Sequence, residues 1–361
     1  LFYLSRIRET EGDPVRYLNA VISLNPASVE RARALDLARR AAPDTERDPI
    51  YGMPILLKDN INAAGVATTA GAVALQNNFA DDAFIVEKLL DKGAVILGKA
   101  NLSEWAYFFC DDCPSGWSAI GGQTLNPYGR LRFNTGGSSS GSGASIAANY
   151  AAAAVGSETS GSILSPSSAN SLVGLKPTTG SLSRTGVVPI SGSLDTTGPM
   201  ARSVADVIIL FNGMTGYDQR DIAMPMMSDD LQLEHRDQSM AGLRLGAPER
   251  YLDNELFLKA LRLLSADEAA IVEISLPEID TQGFGTLLGR EMVRDLALYL
   301  NDHASPMVMI DSVDDLHAFN LQRPDLRMPY GQAEVDRMIE LDIGPAEPET
   351  LRDSLQSGAR A

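Results

Sequence analysis

Residues 135–166 read TGGSSSGSGASIAANYAAAAVGSETSGSILSP, with serine and glycine clusters on both sides of an alanine-rich run. Glycine adopts backbone geometries that other residues avoid and lets other groups approach closely. Serine hydroxyls can relay protons or attack a carbonyl carbon. A flexible linker would lack the apolar run at 144–148 and the apolar LVGL at 172–175. The stretch therefore predicts a buried small-residue helix between two serine-rich turns, which is typical of a catalytic site.

The composition is that of a folded, acidic chain. Its 361 residues are 44% hydrophobic, which is enough to bury a large core. The formal net charge is -17, from 30 Lys and Arg against 47 Asp and Glu. This charge disfavours nucleic acid and anionic membrane as partners, because binding to phosphates needs cationic side chains. No apolar run approaches the ~18 residues of a membrane-spanning helix, and the acidity most simply serves solubility.

The two cysteines form a single C-x-x-C pattern, with Cys110 and Cys113 in the segment FFCDDCPSG. A structural zinc site needs four ligands, and the sequence offers no second cysteine pair or nearby histidine. Two aspartates between the cysteines are unlike a redox motif at a helix N-terminus. We interpret the pair as two loop thiols or a tight disulfide.

Helical and strand-like patterns alternate along the chain, which indicates an α/β protein. The pattern predicts a buried strand at 53–59 that contains Lys58, and a helix at 82–92 that ends before Gly93. Further strands are predicted at 94–97, 243–247 and 270–276, and further helices at 28–42, 142–154, 203–214, 255–265 and 291–301. The helix at 28–42 is expected to begin with Ser28 as its cap. No linker divides the chain, so a single domain is favoured.

The serine cluster allows two kinds of chemistry. In the first, Ser139 is a nucleophile in the G-x-S-x-G pattern at 137–141. The histidines that could act as its base are His235, His303 and His317. That pattern normally follows a strand, and the preceding residues 130–135 make a poor buried strand.

In the second, the base is a lysine. Lys58 is one of only six lysines and follows three apolar residues in the predicted strand. Burial favours the neutral amine, which can then act as a general base. The alternative role for Lys58 is an ion pair with Asp59 or another acid at the strand end.

Five sequence blocks resemble the amidase signature family, in the family's order and at its spacing. They cover residues 50–215 well and the flanks less closely. The blocks are GMPILLKDN at 52–60, GGSS at 136–139, GSETSGSI at 156–163, GLKPT at 174–178 and DTTGPMARS at 195–203. The resemblance implies a single α/β/α domain over residues 1–361, with a mixed central sheet covered by helices and no cofactor or metal. It also implies an enzyme that hydrolyses amides.

The resemblance further implies a Ser-Ser-Lys triad. Ser162 would be the nucleophile, and Ser138 would be the bridging serine, joined to Gly137 by a cis peptide bond. A neutral Lys58 would take the proton of Ser138 while Ser138 takes that of Ser162. An acyl-enzyme on Ser162 would then be hydrolysed by water.

The oxyanion hole implied by the resemblance consists of four backbone N–H groups in the third block. They belong to Thr159, Ser160, Gly161 and Ser162. Such donors stabilise the negative charge that develops in the transition state. Two positions depart from the family, because Ser140 and Ser160 stand where glycine is common, and Ser160 could shift the oxyanion hole.

The substrate class is suggested by two further features. The segments at 101–106 and 115–124 look most like bacterial peptide amidases, which remove a C-terminal amide from peptides. Many relatives carry S-I-R-x-P after the nucleophile, where some bind an acidic substrate group with the arginine. Leu164 and Ser165 occupy that part of this chain. We therefore expect neutral amides, whether peptide amides or small aryl or aliphatic amides, to be preferred over acidic ones.

Two alternative functions remain open from the sequence. One is the A-type component of a glutamine-dependent amidotransferase, and the other is a non-catalytic homologue that only binds a partner. The domain looks incomplete at both ends, since the chain starts at Leu1 and the family's P-T-x-x-x-x-P segment is not found after residue 330. A monomer or homodimer is expected. A cytoplasmic location is slightly favoured, and export is compatible with the sequence.

Overall fold

The computed structural model describes residues 1–224, 231–236, 239–278, 280–341 and 347–360. The helices are α1 (Phe2–Glu11), α2 (Ser28–Ala41), α3 (Phe84–Asp91), α4 (Ser140–Ala147), α5 (Leu164–Ala169), α6 (Val204–Met214), α7 (Glu255–Ala266), α8 (Phe284–Asp302), α9 (Val313–Leu321), α10 (Pro324–Arg327), α11 (Ala333–Glu340) and α12 (Glu347–Arg360). The strands are β1 (Val21–Leu24), β2 (Pro54–Lys58), β3 (Val95–Ala100), β4 (Trp117–Ser118), β5 (Gly122–Gln123), β6 (Ala153–Glu158), β7 (Val173–Gly174), β8 (Thr196–Ala201), β9 (Arg244–Pro248) and β10 (Ala270–Ile274).

The chain forms two compact units. The first contains Leu1–Leu233 and Gly285–Pro348, and the second contains Glu234–Phe284 and Glu349–Ala361. In the second unit β9 and β10 pair in parallel, and α7 lies between them in sequence. Compact units also occur within single domains, so the assignment of one domain to residues 1–361 stays a prediction.

The first unit contains a six-stranded mixed sheet in the order β1-β3-β2-β6-β8-β7. The central strands β3, β2 and β6 run parallel, while β1, β8 and β7 pair antiparallel with their neighbours. Parallel strands need crossover connections, and helices supply them here. The predicted α/β fold with a mixed central sheet is therefore confirmed.

Both faces of this sheet are buried, so its central strands are apolar at consecutive positions rather than at alternate ones. On β2, Ile55 and Leu57 pack into one hydrophobic cluster with α3 and α6. Leu56, between them, packs into a second cluster that contains residues of α1 and α4. Because neighbouring strand residues point to opposite faces, these two clusters are the two helix-covered sides of the sheet.

Two local predictions were wrong. The helix expected at 142–154 ends at Ala147, and Ala153 already belongs to β6. Alanine fits either structure, and pairing with β2 and β8 decides for the strand. Ser28 does not cap α2, because Ala27 holds the cap position without a side-chain hydrogen bond. The cap expected for α6 is present, since the Ser203 side chain accepts the Asp206 N–H.

A third hydrophobic cluster joins α8, α9 and α11 to the segment that contains the two cysteines. Cys110 and Cys113 form a disulfide pair with their Cα atoms 5.6 Å apart. This agrees with one of the two interpretations drawn from the sequence. In the part of the chain that the structure describes, no helix is both long and apolar enough to cross a membrane.

A buried ion pair lies beside the sheet centre. Lys99 Nζ on β3 is 3.1 Å from Asp59 Oδ1, and neither side chain is exposed. Lys99 also donates to Thr68 Oγ1 at 2.7 Å, and the Thr69 backbone N–H donates to Asp59 Oδ2 at 3.1 Å. Since desolvated charges are costly when they lose a partner, this pair is expected to contribute strongly to folding.

We predict that Lys99→Met lowers the free energy of unfolding by about 3–5 kcal/mol, because it leaves the Asp59 carboxylate buried without a cation. Urea denaturation followed by circular dichroism at pH 7 measures this loss. The matched control is Arg16→Met, which breaks the exposed pair with Asp13 and should change little. Equal effects of the two substitutions would show that burial adds nothing to the Lys99 pair.

Candidate active site

The serine-rich segments meet at the carboxyl edge of the central strands. Lys58 is the last residue of β2, and Ser157 is next to last on the parallel strand β6. Ser138 and Ser139 directly precede α4, whose Gly141 N–H donates to the carbonyl of Asn101 at 2.8 Å. Carboxyl ends of parallel strands lie at one edge of a sheet, where ligand sites of α/β proteins commonly form.

The Lys58 amine is enclosed by oxygen atoms. Its Nζ lies 2.7 Å from Ser138 Oγ, 2.8 Å from Ser157 Oγ and 3.1 Å from the Ser157 carbonyl oxygen. The side chain is fully buried. Burial lowers the pKa of Lys58 to about 7, although the nearby carboxylates of Asp195 and Glu158 raise it. A substantial fraction of this amine is therefore neutral near pH 7 and able to accept a proton.

Lys58 does not form the ion pair with Asp59 that was its alternative role. Asp59 pairs with Lys99 instead, on the neighbouring strand β3. The lysine at 58 is thus left to contact serine oxygens, which are uncharged and compatible with a neutral amine.

Ser138 is presented by a cis peptide bond between Gly137 and Ser138, as the family resemblance implied. The side chain is fully buried. The Ser138 carbonyl accepts the Ser103 backbone N–H at 3.0 Å. A side chain at Gly137 would have its Cβ 2.5 Å from Ser115 Oγ and 2.7 Å from Ser103 Oγ, so only glycine fits there without movement.

Ser162 lies beside this segment, because its carbonyl accepts the Ser139 backbone N–H at 3.1 Å. It is 9% exposed and follows Gly161, whose φ of +82 is a conformation that favours glycine. Ser160 does not need glycine, since it is not among the residues with positive φ. The departure from the family at position 160 is therefore accommodated by the backbone.

Glu158 organises the turn around Ser162. Its carboxylate accepts the N–H groups of Gly161 at 2.8 Å, Ile163 at 2.7 Å and Leu164 at 3.0 Å. The N–H of Gly161, one of the four oxyanion donors expected from the sequence, is thus already engaged. The N–H groups of the other three residues have no hydrogen-bond partner within the described ranges; these residues are Thr159, Ser160 and Ser162.

Three polar residues of the site were not singled out from the sequence. Asn60 donates from Nδ2 to Ser157 Oγ at 2.9 Å. Asp195 accepts from Thr159 Oγ1 at 2.5 Å, and burial raises the pKa of this carboxyl. All three, Asn60, Ser157 and Asp195, lie inside the family-like blocks, so membership in a block was the available signal.

The alternative with Ser139 as nucleophile is contradicted by the structure. Ser139 is fully buried, and its Oγ donates to the Ser157 carbonyl at 3.1 Å. The histidines proposed as its base have other surroundings. His317 faces Asp336 at 3.3 Å, the His303 ring lies 6.3 Å from the Tyr299 ring, and His235 belongs to the second compact unit.

A small cavity of about 10 Å³ adjoins the site. Its walls include Asn60, Ser157, Thr159, Asp195 and Arg184. The Arg184 guanidinium is bound by the Asp221 carboxylate at 2.6 and 2.9 Å. Among the described residues, no group of three or more His, Cys, Asp or Glu side chains is placed to hold a metal ion.

The fold and the site together define the amidase signature class: a mixed α/β sheet, a buried lysine bonded to a serine after a cis peptide, and a second serine on a glycine turn. The chain belongs to the amidase family, whose model, described as Amidase, matches residues 3–331. The resemblance found in the sequence is therefore confirmed.

Similar proteins include a probable amidase of Arabidopsis thaliana, 39% identical over 84% of this chain and 61% of that protein. The A-type component of the glutamyl-tRNA(Gln) amidotransferase of Methylobacillus flagellatus is 39% identical over 76% of this chain and 55% of its own length. The structure of native peptide amidase from Stenotrophomonas maltophilia has a TM-score of 0.88 and 41% identity, covering 97% of this chain and 73% of that chain. The chain thus spans only part of the length of these relatives.

We predict that Glu158→Gln lowers the free energy of unfolding by about 1–3 kcal/mol, because its amide nitrogen cannot accept an N–H that a carboxylate oxygen accepts. Urea denaturation at pH 7 measures the loss. Glu87→Gln serves as control, since Glu87 is half exposed and only 3.6 Å from Arg220 at closest. A Glu158→Gln protein as stable as this control would contradict the organising role of the carboxylate.

Proposed function

We propose that the protein is an amidase that hydrolyses neutral amides through a Ser-Ser-Lys triad. The observation that carries the proposal is the 2.7 Å contact between Lys58 Nζ and Ser138 Oγ within a fully buried environment. An amine with a pKa of about 7 can exchange protons with a bound hydroxyl near neutral pH. The reaction uses side chains, backbone N–H groups and water.

In the proposed first step, Ser162 Oγ attacks the amide carbon. The Ser162 proton passes to Ser138 Oγ as the Ser138 proton passes to Lys58 Nζ. The C–N bond then breaks, and the leaving nitrogen receives a proton along the reverse path, which yields ammonia or an amine and an acyl-enzyme on Ser162. Water attacks the ester by the same route and releases the acid.

The negative charge on the carbonyl oxygen would be stabilised by three backbone N–H groups. These are the unengaged donors of Thr159, Ser160 and Ser162. We keep Gly161 out of this set because its N–H is engaged by Glu158. The positive φ of Gly161 instead shapes the turn that carries the donors. Each such donor typically contributes about 2.7–4 kcal/mol to transition-state stabilisation.

Neutral substrates are favoured by the charges around Ser162. Leu164 and Ser165, both exposed, occupy the segment where many relatives have an arginine. Arg184 lines the adjoining cavity, but Asp221 already binds its guanidinium. Similarity to peptide amidase supports C-terminal peptide amides as the first substrates to test.

The A-type component of a glutamine-dependent amidotransferase is the second candidate, because A-type components of that enzyme are also similar to this chain. Such a component would co-purify with partner proteins, whereas the proposed amidase would be isolated as a monomer or homodimer. A non-catalytic homologue would bind a partner without turning over amides. The presence of all three triad residues supports the enzyme.

We predict that a fluorophosphonate probe labels the wild type at Ser162 and that Lys58→Ala abolishes this labelling. Without the amine, no group takes the proton of Ser138. Peptide mapping by mass spectrometry locates the modified residue, and circular dichroism checks the fold. Ser142→Ala, which alters a buried serine bonded to the Val155 carbonyl, should label normally. Undiminished labelling of Lys58→Ala at Ser162 would refute the lysine mechanism.

We also predict that kcat/KM for a neutral amide exceeds that for a matched acidic amide such as malonamate. Leu164→Arg should narrow the ratio by up to about fivefold, because it places a partly exposed cation near the substrate. Steady-state assays of ammonia release measure both proteins, with Leu164→Gln as the uncharged control. Equal kcat/KM values for the two amides in the wild type would contradict the proposed substrate class.

A further inference from the structure

Two buried residues outside the proposed triad control the surroundings of the Lys58 amine. Ser157 contacts Nζ twice, through its hydroxyl at 2.8 Å and its carbonyl at 3.1 Å. Asn60 Nδ2 donates to the same hydroxyl at 2.9 Å and points toward the Val188 carbonyl at 3.4 Å. Because a carbonyl can only accept, Val188 supports the orientation with the amide nitrogen, rather than its oxygen, on this side.

The hydrogen-bonding capacity of a neutral lysine makes this arrangement restrictive. Its amine has two N–H groups and one lone pair, while Nζ of Lys58 has three oxygen neighbours. The Ser157 carbonyl must take one N–H. The second N–H and the lone pair are divided between the hydroxyls of Ser138 and Ser157. Only when Ser157 Oγ accepts the second N–H does the lone pair face Ser138.

We infer that Ser157, held by Asn60, is a positioning residue that turns the lone pair of Lys58 toward Ser138. The inference rests on the proposed function, in which Lys58 takes the proton of Ser138. After that transfer the ammonium has three N–H donors, and the same three oxygen atoms can accept them. The enclosure therefore serves both charge states without moving a side chain.

The charged groups around Lys58 are defined. Asp195 and Glu158 act on its amine and favour the charged form, against the burial that disfavours it. Asp59 and Lys99 on strands β2 and β3 pair with each other. Replacing Ser157 or Asn60 leaves all four groups in place. A change in the proton affinity of Lys58 in such variants therefore reports on the contacts of Ser157.

The two substitutions are expected to act in opposite directions. Ser157→Ala removes an oxygen that accepts from the ammonium, so the pKa of Lys58 should fall by about one unit. Asn60→Asp replaces the donor on Ser157 by a carboxylate, which accepts the Ser157 O–H and adds negative charge, so the pKa should rise. At pH above both values, kcat/KM of Ser157→Ala should still be at least about tenfold lower, because the lone pair is no longer oriented.

The experiment is a pH titration by NMR of protein labelled with carbon-13 at lysine Cε, together with pH profiles of kcat/KM for a peptide amide. Only six lysines are present, and the signal lost in Lys58→Met assigns Lys58. The buried Lys99 is an internal control whose signal should not move. Ser157→Thr, which keeps the hydroxyl, and Ser142→Ala should both retain the wild-type pKa of Lys58.

A pKa of Lys58 that does not fall in Ser157→Ala, or a plateau of kcat/KM equal to that of the wild type, overturns the inference. If Ser157→Ala does not fold, Asn60→Asp decides, and a pKa that stays or falls overturns it. Failure of the wild type to hydrolyse amides is a separate result that counts against the proposed function. The lysine titration still tests the contacts of Ser157 in that case.

Discussion

The burial of one lysine amine is the constraint on which the rest of the site depends. Lys58 ends a central strand, and water is excluded from its Nζ by the sheet and by the segment that leads into α4. Desolvation favours the neutral amine, while uncharged oxygens satisfy its hydrogen bonds. A carboxylate in direct contact would have kept the amine charged, and here Asp59 is taken up by Lys99 instead.

Small residues are the means by which three chain segments come close enough to enclose this amine. A Cβ at Gly141 would lie 2.4 Å from the backbone N and O of Asn101, so α4 can lie against that strand end only with glycine there. The serines that remain at the contact carry hydroxyls that bond across it, as Ser139 does to Ser157. The unusual composition of residues 135–166 is thus a packing requirement and a chemical one together.

Buried carboxylates stabilise the same region through backbone N–H groups. Glu158 accepts three of them in the turn around Ser162, and Asp195 accepts those of Ile190 and Ser191. Because buried charges require such partners, these loops are held by hydrogen bonds rather than by apolar packing. Both acids also act on Lys58, so the turns and the base are electrostatically coupled.

The sequence by itself determined the α/β class and the family, and it supplied the three residues of the proposed triad, because apolar runs and serine-glycine blocks are local patterns. It misplaced the boundary between α4 and β6, since alanine suits both and only pairing with β2 decides. Tertiary structure alone decided that Asp59 pairs with Lys99, that Glu158 engages Gly161, and that Asn60 and Ser157 enclose the amine. Each of these contacts joins side chains or turns whose relative positions depend on folding, and local sequence patterns do not encode such distances.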